Sequence, residues 1–549
     1  MMTISPAPVI LIALLAAFTA QAQIRFEEVA QKSNLRFTLR NGATGQFHQV
    51  ELTAGGVATL DYNNDGCTDI FFTNGAALPS LRKTGPEFHN RLFRNNCDMT
   101  FTDVTAEAGL AGEGYSIAAA IGDFDNDGLP DIFVAGVKHN TLYRNLGNGR
   151  FADVTVKAGL AGKEWAVSAG WVDYDNDGYL DLFVSNYVVW DPATAPSCGT
   201  PQQKFYCHPK SYPGLANQLF HNNHDGTFTD VSKQSGIARH IGKGMGVAVA
   251  DVDGDGFTDI FVANDSVRNF LFRNQGNGTF EEIGLEAGVA LREDGFAIAG
   301  MGADLRDFDN DGKPDLVVSG ILNDSFLLFR NQGGQPGFED YAQRSGLLMG
   351  TRQFTGWSLG MYDFDNDGWK DIFFALSHLS QLDRYLGRDS ALPNRVFRNR
   401  EGKRFEDVSA AAGRDFQLPA MHRGVAFADF DNDGRLDAVV TVINGPVKLY
   451  RNVTPGGAHW LALRLQGRRA NRMGLGATVH VHLADGRDLY NLATTAVGYA
   501  SSSEALVRFG LGASREAESI EVKWPGGLTQ RLNNVKAGRI IDIIEEVTP

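Results

Sequence analysis

The chain has 549 residues, with 65 Asp and Glu against 50 Lys and Arg, a formal charge of −15, and 63 glycines, about 11% where roughly 7% is usual. Charged residues at 21% and hydrophobic residues at 43% exclude a disordered chain, a collagen and a polytopic membrane protein. The acidic balance argues against a nucleic-acid partner, which calls for a basic footprint; it serves either solubility or cation sites.

The first 22 residues carry no charged side chain, and an apolar run from Val9 to Phe18 leads into Ala20-Gln21-Ala22. That reads as a secretory signal peptide cleaved near Ala22, the run being too short to cross a bilayer. Its n-region has only the terminal amine for positive charge, and a buried N-terminal strand or helix is the alternative. No other stretch reaches the roughly 18 apolar residues of a spanning helix. The expected destination is therefore secreted, periplasmic or cell-surface, with no membrane span.

From residue 61 onward a nonapeptide, D-x-[DN]-x-D-G-x-x-D, recurs seven times. A short apolar run follows each copy. Next comes an aromatic-centred motif: Leu92-Phe-Arg-Asn, Leu142-Tyr-Arg-Asn, Leu219-Phe-His-Asn and their equivalents ending at Asn274, Asn331, Asn399 and Asn452. Most units close on Phe-x-[DE]-x, and another apolar segment precedes each Asp loop. Each unit thus predicts four short strands, A to D, joined by tight turns. Radially repeated four-stranded units are the signature of a β-propeller. A linear solenoid is the competing architecture. Against it, the seventh unit stops at Asn452 without a fourth strand, while a spare Phe-Glu-Glu-Val stands at Phe26 to Val29. The expected fold is all-β: a closed seven-bladed propeller over 23–453, its last blade completed by the N-terminal strand, followed by a small β-domain over 454–549.

Oxygen donors at positions 1, 3, 5 and 9 around a glycine at position 6 suit a hard cation, calcium above all. The candidate ligands are Asp61, Asn63, Asp65 and Asp69; Asp123, Asp125, Asp127 and Asp131; Asp173, Asp175, Asp177 and Asp181; Asp251, Asp253, Asp255 and Asp259; Asp307, Asp309, Asp311 and Asp315; Asp363, Asp365, Asp367 and Asp371; Asp429, Asp431, Asp433 and Asp437. Position 7 shares no side-chain chemistry (Cys67, Leu129, Tyr179, Phe257, Lys313, Trp369, Arg435), as a backbone-carbonyl ligand would leave it. Metal-free Asp-rich turns are the alternative. With about 1 mM calcium and a dissociation constant near 10⁻⁴ M, each site would add about 1.4 kcal/mol. Up to seven structural ions would take the charge of −15 to about −1.

The repeats resemble the FG-GAP/VCBS repeats of integrin-α-type propellers. The C-terminal segment is similar to the ASPIC/UnbV domain of the cartilage acidic protein-like family, through Asn471-Arg-Met-Gly-Leu-Gly-Ala477, Gly498-Tyr-Ala-Ser-Ser502, Phe509-Gly-Leu-Gly512 and Val522-Lys-Trp-Pro-Gly-Gly527. The resemblance implies a secreted, calcium-binding propeller with a small β-domain and no established enzymatic activity.

Strand parity puts the A–B loops and C–D hairpins on one face and the B–C and D–A connections on the other. Cys67 and Cys97 then share a face, and Cys198 and Cys207 share one B–C insertion, which suggests disulfides 67–97 and 198–207; free thiols are the alternative. The long B–C connections, Tyr187 to Asn217, Leu376 to Asn394 and Gly75 to Asn90, lie opposite the Asp loops, where they either bind a ligand or cap the central channel.

Other motifs dissolve in the repeat register. Gly356-Trp-Ser358-Leu-Gly360 matches a nucleophile elbow but falls in strand A of the sixth unit. Gly242-Lys-Gly-Met-Gly246 leads into a strand. His221 and His224 bracket a hairpin turn, and the sequence offers them no third ligand. The Arg/His-Asn pairs after strand C read as blade packing. With no catalytic constellation in view, the expected function is a non-enzymatic binding or adhesion scaffold for an extracellular glycan or protein. A calcium-dependent enzyme acting on an extracellular polysaccharide, or an assembly and maturation partner docking through 454–549, are the alternatives.

Overall fold

The computed structural model describes residues 23–200, 202–334, 337–379 and 389–546; the leader expected over 1–22 lies outside them. Seven four-stranded antiparallel sheets follow one another along the chain. In sheet 1 the strands are Val57–Leu60 (A), Asp69–Phe72 (B), Arg91–Asn95 (C) and Phe101–Asp103 (D). The innermost A strands and their B partners are buried on both faces between neighbouring sheets. That is why they read as continuous apolar runs rather than alternating ones. The outer D strands have three residues each, with the leading Phe buried and the rest turned outward. Such short edges blunt edge-to-edge pairing.

Sheet 7 combines His422–Ala428, Asp437–Val442 and Lys448–Asn452 with the N-terminal strand Phe26–Glu28, in the order 26–28, 448–452, 437–442, 422–428. The register pairs Phe26 with Asn452 and Glu28 with Tyr450, so the spare strand is used where the sequence placed it.

Each sheet is stitched to the one before it by the asparagine that ends strand C. The Nδ2 groups of Asn145, Asn222, Asn274, Asn331, Asn399 and Asn452 donate to the carbonyls of Tyr62, Phe124, Tyr174, Val252, Phe308 and Phe364 at 2.7–2.8 Å. Asn95 of sheet 1 donates to Phe430 of sheet 7 at 2.8 Å. Thr59 and Thr441 also cross between sheets 1 and 7, donating to the carbonyls of Phe427 (3.3 Å) and Gly55 (2.6 Å).

The C-terminal segment forms a three-stranded and a four-stranded sheet around Leu461, Leu463, Val481, Ile520 and Trp524. One hairpin leaves this domain. Ala496–Val497 and Ser501–Ser502 pair with each other and with Ala58 of sheet 1, and the tip is Gly498-Tyr499-Ala500. Ala303 exchanges backbone bonds with Gly498, Ala119 N–H donates to the Ala500 carbonyl, and Tyr499 N–H donates to Ser358 Oγ. Phe427 N–H donates to Ser503 Oγ, and Tyr499 Oη donates to the Thr53 carbonyl at 2.7 Å. Bonds to inner strands all around the ring place this hairpin in the central channel, with Tyr499 fully buried.

Tyr499→Ala should therefore destabilise the whole chain, by about 4 kcal/mol in equilibrium urea unfolding. Tyr499→Phe, which loses only the bond to Thr53, should cost about 1 kcal/mol. Equal, small effects would mean that the hairpin does not hold the ring.

Candidate functional site

All seven Asp loops share one bonding scheme. The position-1 carboxylate accepts the N–H of Gly66, Gly128, Gly178, Gly256, Gly312, Gly368 or Gly434 at 2.7–3.2 Å. The position-5 carboxylate accepts the N–H of position 7. At position 9 one oxygen accepts the position-2 N–H and the other the N–H of the stitching asparagine, as with Asp131 bound by Phe124 (3.1 Å) and Asn145 (2.7 Å). These carboxylates are essentially fully buried and keep one lone pair per oxygen for a cation.

Two left-handed residues curl each loop: the position-6 glycine, with φ of 85° to 98°, and position 4. Position 4 is Asn in six loops, with φ of 54° to 58°, and Gly254 in the fourth. Asn and Gly are the residues that tolerate this region, and the pattern stands in the sequence itself. The structure adds its purpose. Asn64, Asn126, Asn176, Asn310, Asn366 and Asn432 donate through Nδ2 to the position-6 carbonyl of the following sheet, and Asn432 returns to Gly66 of sheet 1. Only Gly254 lacks that bond.

The donor set fits a divalent cation. Asp125, Asp175, Asp309, Asp365 and Asp431, all at position 3, each hold a buried Oδ1 with no hydrogen-bond partner. One oxygen each from positions 1, 3 and 5 lie within 4.8 Å of one another in loops 2, 3 and 4. Burial, with repulsion between neighbouring carboxylates, pushes Asp123 up to about 7, Asp173 to about 8 and Asp365 to about 7. Burial, against the pull of backbone N–H groups, raises Asp69 to about 8. A cation would relieve that repulsion.

Four loops carry a partial counter-charge already. Arg144, Arg330, Arg398 and Arg451 reach from strand C to Asp125, Asp309, Asp365 and Asp431 at 2.5–2.6 Å. The Arg/Asn pairs therefore divide their work: Asn packs sheets together, and Arg faces the loop. In loop 3 the place of the arginine is taken by His221, 3.3 Å from Asp181 and 3.5 Å from Asp175, while His224 lies 2.6 Å from Asp177. The carboxylates that face both histidines thus come from the Asp loop beneath the hairpin.

The C-terminal domain covers this face. Arg508 bridges to Asp429 at 3.2 Å, Arg487 donates to the Asp367 carbonyl, and Arg472 N–H donates to Asn126. Disulfides join Cys67 to Cys97 and Cys198 to Cys207, and the second pins a small hairpin, Cys198–Thr200 with Gln203–Phe205, inside the long B–C insertion. This insertion reaches across the channel mouth to residues 46–51: Lys204 donates to Gln46 and Tyr206 to Glu51. Beneath it lies a cavity of about 860 Å3 lined by Leu52, Phe205, Tyr206, Met245, Met301 and Trp357, with Gln49, Lys204, His208 and Asp265 among its polar groups. Burial raises the Asp265 carboxyl, against the Tyr187 hydroxyl that donates to it at 2.5 Å. Tyr499 packs edge-on against Trp357 with ring centroids 5.5 Å apart. The loop thus caps the channel, one of the two roles its length suggested, and in doing so encloses a cavity. Residues 380–388 of the Leu376 to Asn394 connection lie outside the described residues.

Ser358, the centre of the nucleophile-like motif, is fully buried in strand Gly356–Tyr362, where it accepts the Tyr499 N–H at 2.9 Å. Its role is structural.

Residues 61–134, 123–184, 211–262, 251–318, 307–374 and 380–440 match the FG-GAP-like repeat model, and 467–549 match ASPIC and UnbV. The fold and loops define a propeller of Asp-loop repeats. The chain belongs to the FG-GAP-like repeat family and ends in an ASPIC and UnbV domain. It is similar to human cartilage acidic protein 1, 29% identical over 328 residues, 58% of this chain and 46% of that protein. Integrin alpha-4 of Xenopus laevis is 29% identical over 145 residues, 24% of this chain and 14% of that one. The chain spans just under half the length of the cartilage acidic proteins it matches. Among solved structures, an Agrocybe aegerita lectin described as recognising non-reducing terminal N-acetylglucosamine aligns with 72% of this chain and 93% of its own, at 17% identity and a TM-score of 0.41.

Gly254→Asn would restore the missing bond to the Gly312 carbonyl. A Cβ there meets nothing within 4 Å, and φ of +80° suits Asn. The variant should gain about 1 kcal/mol in thermal unfolding. A loss of stability would show that position 4 does not link sheets as described.

Proposed function

We propose that the protein is an exported, non-enzymatic binding scaffold, braced by calcium in its Asp loops, that takes an extracellular glycan or protein ligand on the face opposite those loops. One observation carries the choice of face. The loop side is covered by the chain's own C-terminal domain, while the other side opens on the aromatic-lined cavity beneath the disulfide-pinned insertion. A rigid framework presenting long loops is a usual setting for recognition. Export agrees with the two disulfides, which persist in oxidising compartments. Calcium is supported by the orphaned position-3 oxygens and the raised carboxylates. With the Gly498–Ser502 hairpin buried in the channel, that hairpin is not available to dock a separate partner.

The brace has a pH signature. With no cation present, carboxylates raised to about 7–8 keep protons in the folded loops that the unfolded chain, with carboxyls near 3.8, releases. Stability then falls as pH rises from about 4 to 8. A bound divalent ion replaces those protons and flattens the slope. Chelation should therefore lower the thermal midpoint, and more at pH 8 than at pH 5; a midpoint indifferent to chelator at both would defeat the calcium reading.

The ligand face is tested by a glycan array and an extracellular-protein panel run with the wild type and Phe205→Ala. Phe205 is half-exposed at the cavity rim, and its loss should weaken binding roughly fivefold, about 1 kcal/mol. Hits indifferent to Phe205 would move the ligand elsewhere, and polysaccharide degradation without binding would favour the enzyme reading.

A further inference from the structure

Six units carry an arginine directly after the aromatic anchor of strand C's motif (Arg94, Arg144, Arg273, Arg330, Arg398, Arg451), and the third carries His221. A guanidinium neutralises a carboxylate but has no lone pair to offer a metal; a neutral imidazole does. Loop 3 is thus the one Asp loop of the seven with a nitrogen donor at this position.

The geometry makes the exchange meaningful. His221 Nδ1 is shut off from solvent between Asp181 Oδ1 at 3.3 Å and Asp175 Oδ2 at 3.5 Å, and Asp175 Oδ1 beside it has no hydrogen-bond partner. Donor atoms of Asp175, Asp181 and His221 lie within 4.8 Å of one another, as do those of Asp173, Asp175 and Asp177. Two overlapping triads, one holding an imidazole, therefore converge on a single loop. The ring of His221 is held edge-on to Tyr174, with centroids 6.0 Å apart. His224 stacks on Tyr179 at 3.9 Å and sets Nε2 2.6 Å from Asp177 Oδ2, the kind of outer support that orients a ligand carboxylate.

We propose that loop 3, completed by His221, binds a divalent first-row transition-metal ion in place of the calcium suited to the other loops. Calcium draws on oxygen ligands. An imidazole among carboxylates favours zinc, cobalt or nickel, whose affinity for such mixed sets exceeds that of the hard alkaline-earth ions. The proposal rests on the reading that the Asp loops hold cations and changes the identity of one of them.

Cobalt(II) is the probe, added to the full chain in saturating calcium. One equivalent should bind, with a visible ligand-field band that zinc abolishes. His221→Arg installs the residue of the other six units, so the hairpin should fold. It should remove the band and weaken cobalt binding roughly a hundredfold, with the thermal midpoint in calcium unchanged. His221→Gln, which keeps a polar side chain without the imidazole, should do the same and stands in if the arginine variant is unstable. His224→Asn should weaken binding roughly tenfold. Absence of the cobalt equivalent in the wild type, or its survival in both His221 variants, would overturn the proposal. If calcium fails to bind anywhere while the His221-dependent cobalt equivalent persists, the calcium brace falls and the loop 3 site stands.

Discussion

The position-9 carboxylate of each Asp loop and the asparagine that ends strand C form a buried pair, repeated seven times, on which the ring depends. Asp259 shows the pattern: it accepts the N–H of Val252 and of Asn274, and Asn274 donates to the carbonyls of Thr258 in its own loop and Tyr174 in the preceding sheet. Every polar group involved is removed from water, so each is costly to leave unpaired. The backbone that curls around the clustered carboxylates is the same backbone that receives the neighbouring sheet. Loop shape and ring assembly are in this way a single constraint, and the position-4 asparagines repeat it in the opposite direction around the ring.

That constraint changes what the acidity means. Read from the sequence, 27 of the 65 acidic residues stand at candidate cation-ligand positions. In the folded chain the charge has several answers. Four loops face an arginine from strand C, and Arg508 of the C-terminal domain reaches Asp429 of the seventh. Loop 3 meets histidines instead. The loops share a bonding scheme yet differ in electrostatic setting, so seven equal affinities are not the natural expectation from a sevenfold repeat.

Much of this was legible because it is periodic. The nonapeptide, the Phe-Arg-Asn motif and the displaced Phe-Glu-Glu-Val specified the sheets, the strand order and the use of Phe26–Glu28 in the last one. Strand parity gave Cys67–Cys97, since faces follow from counting turns, and a shared B–C insertion gave Cys198–Cys207. What escaped has no local signature. Tyr499 stands 446 residues from the Thr53 carbonyl it bonds, and nothing in Gly498-Tyr-Ala-Ser-Ser502 announces a channel. His221 and His224 found no third ligand because Asp175 and Asp181 belong to another turn of the same sheet, brought near only when strands B and C pair. Asn at position 4 was visible in six copies, but its purpose lies across the gap between sheets.

The two faces follow from the same hairpin. By filling the channel from the loop side, Tyr499 and its neighbours tie inner strands around the ring to the C-terminal domain, and they seat that domain over the Asp loops through Arg472, Arg487 and Arg508. The channel is thereby closed at one end and becomes a blind pocket at the other, with Trp357 above Tyr499 and the Cys198–Cys207 hairpin as its roof. The second domain therefore bears on the cavity from behind its wall: Tyr499 packs against Trp357 and bonds the Thr53 carbonyl, and both of those residues line it.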